Sequence, residues 1–186
     1  KPTEAGSYTI TVRCETEDVI YTATANFEIK TKSVTAGMIA DMEAVDYNTK
    51  AHNPIPEIKD GDAILTAGED FTFSYGENTN AGIGTVTISG KGNYSGTITK
   101  SFKITQADLS KFTASLSVDS FIYDGAEKKP EVTVKSDNAQ LTAATDFTVS
   151  YSSNVNAGTA TVTITGKGNY SGSIKKQFTI TPADFS

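Results

Sequence analysis

The sequence predicts an all-β fold, built as small antiparallel sandwiches in tandem. Three observations carry this expectation. Apolar and polar residues alternate almost everywhere, turn-forming residues interrupt the alternation roughly every 8–12 positions, and the chain matches itself at a fixed offset of 76 residues.

The offset is plainest in Gly90-Lys91-Gly92-Asn93-Tyr94-Ser95-Gly96, which returns unchanged as Gly166-Lys167-Gly168-Asn169-Tyr170-Ser171-Gly172. Residues 31–106 align with 107–182 without a gap. Of those 76 positions 32 are identical, and 29 of the identities fall at or after Ala63, so the first third of each unit has drifted and the rest is nearly a copy. The offset also reaches backward. Ala5-Gly6 precedes Ala81-Gly82 by 76, and Thr9-Ile10-Thr11-Val12 matches Thr85-Val86-Thr87-Ile88. Residues 1–30 are therefore expected to be the last part of a third, divergent unit, and the chain a fragment of a longer array. The expected organisation is this remnant (1–30) followed by units at 31–106 and 107–186.

Taken in order, residues 1–30 read as a two-strand ribbon. Val19, Tyr21, Ala23, Ala25, Phe27 and Ile29 share one face, and Ile10 and Val12 share another. Such a ribbon is marginal alone, and its apolar side calls for cover by the next unit, by a second copy or by another chain. In the first full unit Phe71, Phe73 and Tyr75, then Val86 and Ile88, then Phe102 and Ile104 alternate with polar neighbours. In the second, Phe112, Ala114, Leu116 and Val118 do so, followed by Phe147, Val149 and Tyr151, then Ala160, Val162 and Ile164, then Phe178 and Ile180. Period-two spacing puts one face of each segment against a core, and Thr at the outward positions suits a pleated surface. Tyr123-Asp124-Gly125, Ser136-Asp137-Asn138, Ser152-Ser153-Asn154 and the repeated glycine loop are turn chemistry. Ala107-Asp108-Leu109-Ser110 has room for one helical turn. Six or seven short strands per unit point to an immunoglobulin-like sandwich. The alternative, a β-grasp repeat, requires a helix for which no segment qualifies.

Tyr123-Asp124-Gly125, the segment 146–151, Asn156-Ala157-Gly158 and the glycine loops also carry a resemblance. They are similar to tandem immunoglobulin-like repeats of large surface and secreted proteins of Gram-positive bacteria, and more loosely to the YDG-type and MBG-type repeats of bacterial adhesins. The resemblance implies an extracellular, non-catalytic spacer whose partners are other domains of the same surface protein, a glycan or a host protein. One departure stands out: Tyr47-Asn48-Thr49 replaces Tyr123-Asp124-Gly125 in the first unit.

Composition narrows the chemistry. The 186 residues carry a net charge of −6, spread as −2, −3 and −1 over the three segments, with no basic stripe for nucleic acid or an anionic membrane surface. No apolar run approaches the roughly 18 residues of a membrane span, and no secretory leader is expected from Lys1 onward, where a positively charged start followed by an apolar core is not found. One His and one Cys rule out a His-rich metal site and a disulfide framework.

No catalytic, cofactor or metal residue is expected. His52 lies in a polar turn, its place taken by Lys128 in the second unit, and reads as a solvated loop residue. Cys14 reads as a buried small hydrophobe or a spare thiol rather than a nucleophile. Of the carboxylates Asp60, Asp62, Glu69 and Asp70, only Asp70 is repeated, as Asp146, just before a strand where it closes a turn onto backbone N–H groups. Lys100 or Lys176, Asn78 or Asn154, and Asp70 or Asp146 are the repeated types a Lys–Asn isopeptide cross-link needs; ordinary surface roles are expected instead. The glycine loops are followed by strand-forming residues, not by the helix of a phosphate loop. Tyr94 and Tyr170 are the candidate ligand contacts, as exposed rings for a sugar; the preferred reading is a lid that buries the ring over the sandwich end. The expected function is a structural spacer and interaction module of a cell-surface or adhesin-type protein. The competing expectation is a carbohydrate-binding accessory module of a secreted glycoside hydrolase.

Overall fold

The computed structural model describes residues 1–136 and 140–184. In chain order its strands are β1 (Gly6–Glu15), β2 (Ile20–Ile29), β3 (Lys32–Ser33), β4 (Val45–Asp46), β5 (Lys59–Asp60), β6 (Ala63–Ile64), β7 (Phe71–Tyr75), β8 (Gly82–Gly90), β9 (Tyr94–Ser95) and β10 (Thr97–Thr105). They continue as β11 (Ala107–Asp108), β12 (Thr113–Leu116), β13 (Ser120–Ile122), β14 (Val132–Lys135), β15 (Phe147–Ser152), β16 (Gly158–Gly166), β17 (Tyr170–Ser171) and β18 (Ser173–Thr181). The fold is all-β and of sandwich type. Helical structure among the described residues is limited to 3-10 turns at Ala36–Met38 and Leu109–Lys111, the second of them on the expected segment. The β-grasp alternative lacks its helix.

The chain divides into two compact units, one of Lys1–Glu43, Ala51–Asn78 and Ile83–Phe102, the other of Ala44–Lys50, Thr79–Gly82 and Lys103–Ser186. In the first, Phe71, Val86 and Ile88 form a core with Val34, Ile39, Ile58 and Leu65, while Phe73 and Tyr75 pack against it half-buried. Phe102 is buried as well, at 3% exposure. In the second, Phe147, Val162, Ile164, Phe178 and Ile180 close over Leu109, Ala114, Val134, Leu141, Ala160 and Tyr170, with Val149 and Tyr151 at the margin. Burial follows the expected alternation because the long hairpins are regular: β15 and β16 register Phe147 on Gly166 and Tyr151 on Val162, as β7 and β8 register Phe71 on Gly90 and Tyr75 on Val86.

Purely antiparallel pairing does not hold. The sheet β13-β18-β16-β15 carries a parallel edge, Phe121 on Ile180, and the sheet β4-β10-β8-β7 carries the same edge, Val45 on Ile104. The two-residue pairs β3–β9 and β11–β17 are parallel too. Such an edge strand crosses from the opposite face without a hairpin, so no local signal announces it.

The gapless alignment also gives way. Lys32 pairs with Tyr94, but Ala107, 75 positions later, pairs with Tyr170, which is 76 after Tyr94. Ile39 bridges Ile58, and Ala114, again 75 later, faces Val134, 76 after Ile58. One extra residue lies between β12 and β13, within the drifted first third.

The ribbon β1–β2 forms with the register Tyr8 on Phe27, Ile10 on Ala25 and Val12 on Ala23. Residues directly opposite point to the same side, so Ile10 and Val12 share the face of Phe27 and Tyr21 rather than occupying another. Tyr8 stacks on Phe27 at 5.5 Å, and the rest of that face is open, with Val12 and Tyr21 each 61% exposed.

The turn at Tyr47-Asn48-Thr49 keeps its conformation despite losing glycine. Thr49 sits at φ 69° where Gly125 sits at φ 78°. Of the turn Ser136-Asp137-Asn138, the last two residues lie outside the described residues.

Candidate functional site

The repeated glycine loops supply the two singled-out tyrosines, and both follow one backbone course. Gly90 N–H donates to Gly96 O at 2.9 Å and Gly166 N–H to Gly172 O at 2.9 Å. Tyr94 and Tyr170 N–H reach back to Lys91 O and Lys167 O, each at 3.1 Å. Gly92 and Gly168 both take φ 63°, a left-handed conformation that suits glycine. Gly90 and Gly166 are required for another reason: a Cβ there would meet backbone of the returning strand at 2.6 and 2.8 Å.

Each loop is anchored through the repeated Asp, which lies just ahead of β7 or β15. Lys91 N–H donates to Asp70 O at 2.7 Å and Lys167 N–H to Asp146 O at 2.8 Å. The Asp70 and Asp146 side chains accept from Thr66 and Thr142 N–H, both at 2.8 Å, as a turn-closing role requires.

The loop asparagines face the chain itself. Asn93 Oδ1 accepts from Ala5 N–H at 2.6 Å, and its Nδ2 donates to the Glu4 carboxylate. Asn169 Oδ1 accepts from Ala81 N–H at 2.8 Å, and its Nδ2 donates to Asn80 Oδ1 at 3.0 Å. Their carbonyls accept from Lys32 N–H at 2.8 Å and Ala107 N–H at 2.9 Å. Each asparagine thus clasps two separate backbone segments. Gly6, Gly82 and Gly158, which follow Ala5, Ala81 and Ala157, lie at φ 154°, 138° and 138°.

The tyrosines part company. Tyr170 is only 5% exposed and packs edge-on against Tyr47 at 5.5 Å and Phe112 at 5.6 Å. Burial pushes its phenol up to about 12, with Tyr47 and Asp146 adding to the shift. Tyr94 is half-buried beside its core, and its hydroxyl donates to Asp60 Oδ2 at 3.2 Å. The Lys32 ammonium, 2.6 Å from Asp60, holds that carboxyl below the usual carboxylate range.

The remaining candidates disperse. Asn78 is buried; its Nδ2 donates to His52 O and Thr85 O, and its Oδ1 accepts from Thr85 N–H. Lys100 reaches Asp41 at 2.9 Å and Ile39 O at 3.3 Å. Neither contact brings together the Lys, Asn and acid of a cross-link. His52 is not solvated as expected: it is half-buried, and its Nε2 is buried with no hydrogen-bond partner. The Asn78 clasp draws it inward, for His52 N–H also donates to Asn78 O at 3.1 Å. Lys128, its counterpart, is clasped in the same way by Asn154 and pairs with Asp124. Cys14 is exposed. Among the described residues no three His, Cys, Asp or Glu side chains converge as metal ligands.

Sequence reasoning missed Asn93 and Asn169 as clasps, although their identical setting inside a repeated heptapeptide was the available signal. No known protein family, curated protein or solved structure matches this chain.

Proposed function

We propose that this chain is a non-catalytic structural and interaction module, made of tandem units, from an extracellular bacterial surface or adhesin-type protein. One observation carries the reading. The polar groups of the most strongly repeated loop are spent on the chain itself: Asn169 alone joins the Asn80 side chain and the Ala81 and Ala107 N–H groups. A motif kept for ligand capture presents its side chains outward, whereas one kept for architecture satisfies them internally. Tyr170, at 5% exposure, offers no stacking face to a sugar.

The surface location and the bacterial source rest on the sequence resemblance. Polysaccharide-gel retardation and a glycan array test the reading against a carbohydrate-binding module. Migration unchanged across gels and an empty array are expected. Saturable glycan binding that is lost in Tyr94→Ala would overturn it.

A further inference from the structure

In the second compact unit five residues hold the Asn169–Tyr170 loop. Tyr47 packs on Tyr170 at 5.5 Å, Asn80 and Ala81 bond the Asn169 side chain, Ala107 N–H bonds its carbonyl, and Gln106 Nε2 donates to Gly168 O at 2.8 Å. The residues 76 positions later are Tyr123, Asn156, Ala157, Ala183 and, in place of Gln106, Pro182. Four of the five chemical types are kept. The framework is kept as well: Tyr47 N–H donates to Thr105 O at 2.9 Å, Tyr123 N–H to Thr181 O at 2.8 Å, and Gly82 and Gly158 share φ 138°.

These later residues, with Asp124, line an open hollow of about 660 Å³. Tyr47 and Ala81 are half-buried, whereas Tyr123, at 38% exposure, and Ala157 are exposed. Size alone would admit a small ligand, since such sites span roughly 300–1,000 Å³. The recurring donor, acceptor and ring instead match the Asn–Tyr loop already held by their counterparts.

We propose that the face formed by Tyr123, Asn156, Ala157 and Ala183 is a docking surface for a Gly-Lys-Gly-Asn-Tyr-Ser-Gly loop borne by another module of this kind. The loop's Asn carboxamide bonds Asn156 and the Ala157 N–H, its carbonyl accepts from Ala183 N–H, and its Tyr ring lies against Tyr123. Intact copies of this chain do not supply that loop to one another, because Asn93 is engaged by Glu4 and Ala5 and Asn169 by Asn80 and Ala81. The inference stands on this geometry and holds whether or not the protein belongs to a cell surface.

The test extends the full chain after Pro182 with a second copy of residues 107–184 and follows Ala157 and Tyr123 by NMR. Exchange of the Ala157 amide is expected to slow by about tenfold or more, with loss of solvent access at the Tyr123 ring. Both effects should vanish when the asparagine of the appended loop is changed to Ala. Unchanged exchange beside a folded appended copy would overturn the proposal. Should that copy not fold, a cyclised Gly-Lys-Gly-Asn-Tyr-Ser-Gly peptide is titrated onto the intact chain. Saturable shifts at Ala157 and Tyr123, absent with the Asn→Ala peptide, support docking; no shift at millimolar peptide overturns it.

Discussion

The loops 90–96 and 166–172 share one heptapeptide and one backbone course, yet their tyrosines end in different surroundings. Tyr170 is enclosed by Tyr47 and Phe112, whereas Tyr94 is only half-buried and turns its hydroxyl to Asp60. Glycine conformation and turn hydrogen bonds are set within the motif and so are copied with it. Ring burial is set by residues far along the chain, and these are not shared: Phe112 has Ala36 at its place 76 positions earlier, and no residue of the chain stands to Tyr94 as Tyr47 stands to Tyr170.

The sharpest test truncates each ring. Tyr170→Ala should cost about 3–5 kcal/mol, in the range of a buried aromatic, and Tyr94→Ala about half as much. Equilibrium denaturation of the two variants checks this, and equal losses would break the contrast. Gly90→Ala and Gly166→Ala should instead behave alike, each costing about 1–3 kcal/mol, because the new Cβ strikes backbone in both loops. A difference above that spread would show that the loops are not equivalent even locally. Asn93→Ala and Asn169→Ala should each cost about 1–2 kcal/mol, with faster exchange at the Ala5 and Ala81 amides respectively.

A smaller effect of opposite sign is expected at Thr49, a β-branched residue in left-handed conformation. Thr49→Gly should raise the melting free energy by about 1 kcal/mol, while Gly125→Thr should lower it by a similar amount. Least visible at neutral pH is the titration of Tyr170. Its raised value makes the associated stabilisation complete below about pH 10, the ordinary tyrosine range, and lost as pH climbs through about 12. Phenolate absorbance of the intact chain against Tyr170→Phe measures it, and titration alongside exposed tyrosines would contradict the burial argument.

Much of the fold was legible because long hairpins write their pattern into adjacent residues. Phe147, Val162, Ile164, Phe178 and Ile180 were all readable as one core from period-two spacing, and all are at most 2% exposed. Ile58, Leu65, Val134 and Leu141 escaped notice: Leu65 and Leu141 lie outside regular strands, and Ile58 and Val134 fall where the repeat has drifted. The parallel edges were hidden because their partners are about 60 residues apart in sequence, as with Val45 and Ile104. At the candidate site, lid-like burial was readable for a tyrosine between Asn and Ser. Its degree at Tyr170 was not, since nothing near that loop foretells Tyr47 and Phe112. The inward placement of His52 was equally hidden, because a buried asparagine 26 residues away imposes it.

The ribbon β1–β2 has a consequence for how the molecule opens. Among the described residues its strands pair only with each other, and nearly every residue in them is exposed. The ten-residue register provides hydrogen bonds but almost no dehydrated contact to defend them. Its amides should therefore exchange through local fraying, while those of β16 and β18, laid over buried Val162 and Ile180, wait for global unfolding. A protease would meet the same gradient. Cleavage near residues 16–19, in the turn joining the two strands, should leave the hydrophobic cores of both units intact, so that the first thirty residues behave energetically as an appendage hinged on the Asn93 clasp.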